Sequence, residues 1–203
     1  QLSSVTIENA ELCPRYVGRV LTDVRMGPSP QWMCSRLIAS GQRPISNVVD
    51  ITNYVLMETG HPLHAFDFDL LKENRIVVRN PRPGETITTI DGQVRELTPD
   101  MLIIADGKSP VAVAGVMGGS ESEVGDGTTR VFLEGAYFQP TSIRRTSRAL
   151  GMQTEASAHF QRGADPEMAL FAVNRAAMLM QQLAGAQIAK GLLDEFGPER
   201  LDY

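Results

Sequence analysis

Residues 76–133 form a succession of short β-rich runs interrupted by turn residues, and the helical patterns lie before and after that stretch. The runs are 76–78, 86–90, 102–105, 111–114 and 131–133. Segregation of this kind, rather than strict alternation of strand and helix, favours an α+β fold over a doubly wound parallel sheet. The expected architecture is mixed or antiparallel β-sheets with helices packed on them. Asp91-Gly92 lies between two β-rich segments and predicts a two-residue type I′ hairpin, whose central positions both need φ > 0. Asp106-Gly107 marks a second turn.

The flanks carry clear start and stop signals. Apolar residues alternate with polar ones at Val5 and Ile7 and again at Val17, Val20 and Val24, with Pro14 between, which predicts strands. Ser29 followed by Pro30 reads as an N-cap with proline at the first helical position, and Gly41 as the stop, so residues 30–40 should be helical. Ser46 opens a second helix that ends at Gly60, with Val48, Thr52, Val55 and Leu56 on one face and Pro62 barring continuation. Helix resumes after Pro140, and Asp165-Pro166-Glu167 opens a long amphipathic helix carrying Met168, Ala172, Ala176, Leu179, Met180 and Leu183, closed by Gly185. With no internal repeat and no low-complexity linker, residues 1–203 read as one compact module, two interleaved subdomains being the alternative.

Composition narrows the function classes. Nineteen basic against 24 acidic residues leave a formal charge of -5, which argues against a protein that coats nucleic acid electrostatically. Any nucleic-acid role needs a local basic patch. The longest nearly uncharged apolar run, 111–119, is about half the length that crosses a bilayer as a helix, so no membrane segment is expected. Cys13 and Cys34 stand in no paired metal or redox spacing and read as thiols of a reducing, cytoplasmic compartment. The chain begins on Gln1, without a basic-then-apolar leader, which reads as a segment of a longer chain.

Five places concentrate functional groups. The stretch 61–69 holds His61, His64, Asp67 and Asp69, but Pro62 breaks the helical spacing that would place both imidazoles on one face, so no metal site is expected. The plainer reading is a loop in which His64 bonds to backbone while Phe66 and Phe68 anchor it. Thr52-Asn53 sits in a helix otherwise rich in Val and Ile: either Thr52 back-bonds to a helical carbonyl and Asn53 is solvated, or the pair holds a polar ligand. The turn 114–119 carries Gly115, Gly118 and Gly119, which suit close backbone approach to a carbonyl or phosphate oxygen, or simply a tight turn. It matches neither the Walker nor the dinucleotide pattern, so neither ATP nor a nicotinamide cofactor is expected.

Glu134 interrupts an apolar strand; if it shares a face with Phe132 and Ala136 it points inward and needs a donor or a ligand hydroxyl. Arg144, Arg145 and Arg148 form a compact cationic patch on a predicted helix, suited to phosphates or else an ordinary solvated face.

Four stretches, RPISNVVDITNYVLMETGHPLHAFD, VAVAGVMGGSESEV, VFLEGAYF and GMQTEASAHFQRGADP, follow one another in this chain. In order and spacing they resemble the third and fourth domains of the β subunit of bacterial phenylalanyl-tRNA synthetases. The resemblance runs from about Tyr16 to about Phe196 and is densest in 43–165, where the pocket motifs lie. It implies an editing module that hydrolyses tyrosine wrongly attached to phenylalanine tRNA. Carried over motif by motif, it implies a pocket of Thr52, Asn53, His64, Gly115, Gly118, Glu134 and Ala156. Within it, Thr52, Asn53, His64 and Gly118 would act on the ester, while Glu134, Gly115 and Ala156 would hold the substrate. The implied partners are phenylalanine tRNA, met by Arg144, Arg145 and Arg148, together with the synthetase α subunit and the rest of the β subunit. No cofactor and no ATP-dependent activation are implied for this segment. The sequence departs from the family at His159-Phe160-Gln161-Arg162-Gly163, where relatives often read Arg-Phe-Glu-Arg-Gly.

Chemistry gives the implied task a rationale. An apolar pocket that accepts phenylalanine rejects an added hydroxyl by only about a hundredfold, so a second site is useful. That site selects tyrosine if it presents a buried acceptor which phenylalanine leaves unpaired, and Glu134 suits this role. Ester hydrolysis further needs an oriented water and oxyanion stabilisation, for which His64, Thr52, Asn53 and backbone N–H groups near Gly118 are the candidates. Two other classes remain open: a noncatalytic module that binds tRNA or packs within a synthetase, and a free-standing deacylase.

Overall fold

The computed structural model describes residues 2–197. Gln1, read above as the mark of an excised segment, lies outside the described residues, as do residues 198–203.

In chain order the strands and helices are β1 (Ser4–Ile7), β2 (Arg15–Thr22), α1 (Gln31–Ala39), α2 (Asn47–Thr59), β3 (Leu63–Asp67), β4 (Arg75–Arg79), β5 (Thr86–Thr88) and β6 (Val94–Glu96). They continue as β7 (Ile103–Ala105), β8 (Pro110–Val113), β9 (Met117–Gly118), β10 (Val131–Tyr137), α3 (Pro140–Leu150), α4 (Glu155–Arg162), α5 (Met168–Ala184), β11 (Gln187–Ile188) and β12 (Leu193–Phe196).

One sheet runs β1-β4-β7-β8-β9, parallel only between β1 and β4. The other runs β11-β2-β10-β3, all antiparallel, with β12 also on β2. Strands β5 and β6 form a separate hairpin. The fold is α+β with mixed and antiparallel sheets.

Strand parity builds the layers. Along β10, Val131 and Leu133 face one way and join Val17 and Leu21 of β2, Val48, Ile51 and Val55 of α2, and the alanine-rich face of α5 in one buried cluster. Phe132 and Ala136 face the other way and join Tyr16, Val20 and Phe66 against the first sheet's Ile76, Val78, Ile104 and Val113. The β2-β10-β3 sheet is therefore the middle layer, covered by helices on one side and by a second sheet on the other. This explains why β2 is buried almost throughout instead of alternating.

Small residues at Ala169, Ala172, Ala176 and Ala177, all fully buried, let α5 lie close against the sheet.

Most local expectations hold, with corrections where tertiary contacts compete. Helices α2 and α5 end on Gly60 and Gly185 in the left-handed conformation as read. Ser29, however, does not cap α1. Pro30 occupies that position, and Ser29 Oγ instead donates to Asp50 Oδ2 at 2.6 Å. Ser46 stands at the start of α2 without a side-chain cap bond. The segments on either side of α1 are tied to α2 by Asn47, whose amide donates to the Arg25 carbonyl, and by Asp50, which accepts from the Ile45 N–H. The Asp91-Gly92 hairpin exists, but it is not type I′, because only Gly92 of the pair has positive φ. The Gly92 N–H donates to the Thr89 carbonyl and the Thr89 N–H to the Gln93 carbonyl, a three-residue loop of the type I plus bulge kind. The expected loop at 61–69 is in large part strand β3, with Phe66 and Phe68 buried as anticipated. Val24 lies beyond the end of β2.

Candidate active site

A cavity of about 240 Å³ opens where β3, the edge of the middle sheet, meets β9, the edge of the other. Thr52, Asn53 and Leu56 of α2 border it, because α2 buries Val48, Ile51 and Val55 and thereby turns the adjoining stripe past the edge of β3. His64 and Glu134 enter as a cross-strand pair, directly opposite each other in the β3-β10 register. The turn between β8 and β9 supplies Gly115 and Val116, β9 supplies Gly118, and the start of α4 supplies Thr154 and Ala156. Seven residues singled out in the sequence, Thr52, Asn53, His64, Gly115, Gly118, Glu134 and Ala156, thus border one cavity.

Both glycines are demanded by space. At Gly118 a Cβ would stand 2.6 Å from His64 Cε1 and 2.9 Å from Nε2. At Gly115, φ is +65° and a Cβ would stand 2.9 Å from both Phe138 and Ile143. The turn is anchored from α4, where Thr154 Oγ1 donates to the Val116 carbonyl at 2.8 Å while accepting the Ser157 N–H in a capping box. The Val116 and Gly119 N–H groups donate to the Val113 and Val111 carbonyls, whereas the Gly115 N–H makes no hydrogen bond among the described residues.

The polar groups are unusual for their burial. His64 does not bond to backbone as one reading expected. Its Nε2 is buried without a partner among the described residues, and its ring packs edge-on against Phe66 at 4.4 Å. Burial pushes the imidazole down to about 4, so it is neutral near pH 7. Glu134 is 7% exposed, and burial pushes its carboxyl up to about 7 against the opposing pull of a hydrogen bond from Tyr16. That bond, from Tyr16 Oη to Glu134 Oε2, is 2.5 Å long. Oε1 has no hydrogen-bond partner among the described residues.

Thr52 Oγ1 donates to the Val49 carbonyl at 2.7 Å, the back-bonding alternative, while its side chain still borders the cavity.

Arg144, Arg145 and Arg148 lie outside the cavity, exposed on α3. They are held near it, since α3 packs on α4 and Arg144 donates to the Gln161 carbonyl. Sequence reasoning passed over Tyr16, Ile90 and Phe160. Tyr16 gives no local signal, because its tie to Glu134 spans 118 residues and depends on register. Ile90 stands next to the Asp91-Gly92 turn that was recognised, and its N–H donates to the Gly118 carbonyl, seating the hairpin over the cavity. Among the described residues no group of three His, Cys, Asp or Glu side chains could hold a metal ion.

Comparison with known proteins places the chain in a family. The B3/4 domain family matches residues 12–185. The chain belongs to the B3/4 domain family. It is 53% identical to the phenylalanine-tRNA ligase beta subunit of Moorella thermoacetica, covering 100% of this chain and 26% of that one. It is also 53% identical to the same subunit of Geobacter sulfurreducens, covering 97% of this chain and 24% of that one. The B3/4 chain therefore spans about a quarter of the length of the curated relatives it matches. Its fold is shared with an N-terminal fragment of the phenylalanyl-tRNA synthetase beta-subunit from Pyrococcus horikoshii. The TM-score is 0.61 at 12% identity, covering 93% of this chain and 50% of that one.

Proposed function

We propose that this B3/4 domain is an editing hydrolase that cleaves the ester of tyrosine misattached to phenylalanine tRNA. It would work in the cytoplasm as part of a synthetase β subunit with its α subunit. The observation that carries the reading is Glu134, a buried carboxyl group with one oxygen committed to Tyr16 and the other unpaired among the described residues, beside an otherwise mostly apolar cavity. A phenol hydroxyl reaching Oε1 satisfies it, whereas a phenylalanine ring leaves it desolvated and unpaired. Likeness to phenylalanine-tRNA ligase β subunits supports the same substrate class.

With the ring directed at Glu134, the aminoacyl ester lies toward the rim formed by Thr52, Asn53 and the β8-β9 turn. Asn53 and Thr52 hold polar atoms of the ester, and the unengaged Gly115 N–H is available to the oxyanion. Gly118 leaves room for the imidazole. A base works best with a pKa near the working pH, so an imidazole held near 4 is suited to orienting the attacking water rather than to removing its proton. The tRNA's terminal hydroxyl is then the candidate for helping to take up that proton. Ala156 leaves the opposite wall low, and Arg144, Arg145 and Arg148 bind tRNA phosphates beside the mouth.

The test is the ratio of deacylation rate constants on tyrosyl- and phenylalanyl-tRNA. Loss of a hydrogen bond to a charged acceptor costs about 1.5–3 kcal/mol, so Glu134→Ala should reduce the tyrosine preference roughly ten- to 150-fold. Glu134→Gln, which still offers an oxygen, should lose less. A Glu134→Ala protein that slows both esters equally, with the ratio intact, would refute the assignment.

A further inference from the structure

We infer that Tyr16 is a positioning residue for Glu134: its hydroxyl takes up Oε2, so that Oε1 alone meets the phenol hydroxyl of the substrate. The inference rests on the editing reading of the cavity and adds a residue that stands behind its wall, on strand β2.

The geometry comes from register. Tyr16 lies opposite Ala136 and Glu134 opposite Gly18, so Tyr16 and Glu134 are diagonal neighbours on the same face of the β2-β10 pair. Diagonal positions are about 7–8 Å apart, within reach of an aromatic side chain. Between them Gly18 offers no side chain, and the Phe132 ring fills that space: a Cβ on Gly18 would stand 2.5 Å from Phe132 Cζ. The carboxyl group is thereby confined between Phe132 and Tyr16. Tyr16 is itself fully buried, so its ring is immobilised by the core and its hydroxyl is a fixed donor.

Electrostatics points the same way. The titratable groups near Glu134 are Cys13 and Tyr16 on the β2 side, His64 across the register on β3, and Glu155 on the α4 side of the cavity. Burial, reinforced by the Glu134 charge, raises both Cys13 and Tyr16 well above their ordinary values, so the proton of the short bond stays on the phenol. His64 is neutral near pH 7. Among the described residues no Lys or Arg borders the cavity. The Tyr16 hydroxyl is thus the sole hydrogen-bond donor to the carboxylate among the described residues, and it favours the ionised acceptor form against burial.

Two readings of one variant, Tyr16→Phe, test this in the intact chain. The first is the pH titration of the Glu134 carboxyl carbon by NMR on glutamate-labelled protein, assigned by its loss in Glu134→Gln. The midpoint should rise by about one unit, a tenfold change in proton affinity, when the hydroxyl is removed. The second is the tyrosyl-to-phenylalanyl deacylation ratio at pH 7, which should fall about tenfold. An unchanged midpoint in folded Tyr16→Phe protein overturns the inference, and so does a shifted midpoint with an unchanged ratio. Should wild-type protein cleave no tyrosyl ester, the editing reading fails on its own, and the titration alone then decides whether Tyr16 governs Glu134. If Tyr16→Phe does not fold, the unaltered chain still decides. The Tyr16 hydroxyl proton should appear far downfield, protected from exchange, and vanish in Glu134→Gln or shift strongly upfield; its absence from wild-type protein overturns the inference.

Discussion

Replacing Gly118 by alanine should disturb the cavity chiefly through its contact with His64. The new methyl carbon would lie 2.6 Å from His64 Cε1, 2.9 Å from its Nε2 and 2.9 Å from Ile90 Cδ1. Carbon atoms at rest stand about 3.5–4.0 Å apart, so the imidazole has to retreat by about 1 Å. It has little room to do so, because its other flank is packed edge-on against the buried Phe66 ring at 4.4 Å. Ile90 yields more easily, being an exposed side chain at a hairpin tip. Overpacking of this kind costs about 1–3 kcal/mol. For a chain of this size each kcal/mol corresponds to roughly 2–4 °C in Tm.

The decisive assay is a double-mutant cycle read by denaturant unfolding. In a His64→Ala background the ring is gone, so Gly118→Ala should lose most of its penalty, a coupling of about 1 kcal/mol or more. Tyrosyl deacylation by Gly118→Ala should fall with the displaced imidazole, while in the His64→Ala background the same substitution should have little further effect. Additive stability losses, with the Gly118→Ala penalty undiminished without His64, would refute the close-approach argument.

The buried imidazoles of His61 and His64 are both pushed down to about 4, chiefly by burial, so each contributes stability that is full above about pH 6.5 and lost as pH falls through 4. Unfolding free energies from pH 7 to 4 should therefore decline less in His64→Gln, by up to about 3 kcal/mol. Glu134, raised to about 7, works oppositely over the same window, its contribution being lost as pH rises, so Glu134→Gln should steepen the acid decline; parallel curves for all three proteins would refute these assignments. Replacing Arg144, Arg145 and Arg148 together should lower the slope of log affinity for phenylalanine tRNA against log salt by roughly 2–3 if each meets one phosphate. An unchanged slope returns the three to an ordinary solvated helix face.

At helix ends and in the periodicity of short runs, the sequence alone determined most of the outcome. Gly60 and Gly185 stop their helices because the chain must turn left-handed there, and Asp165 sets up the start of α5 by accepting the Glu167 N–H. Segregated β-rich runs and helices gave the α+β class, since these periodicities are properties of neighbouring residues. The four family motifs were equally legible, including all seven residues now found around one cavity.

Tertiary structure decided what depends on pairing between distant segments. The stretch around His64 becomes a strand only because β10 offers it a partner, and Ser29 leaves its helix cap because Asp50 stands within reach. The same physical reason governs the site: in a strand, a shift of one residue exchanges its two faces. Whether Glu134 met Tyr16 and the cavity or the helix layer was therefore settled by the register of β10 against β2, which no stretch of local sequence contains.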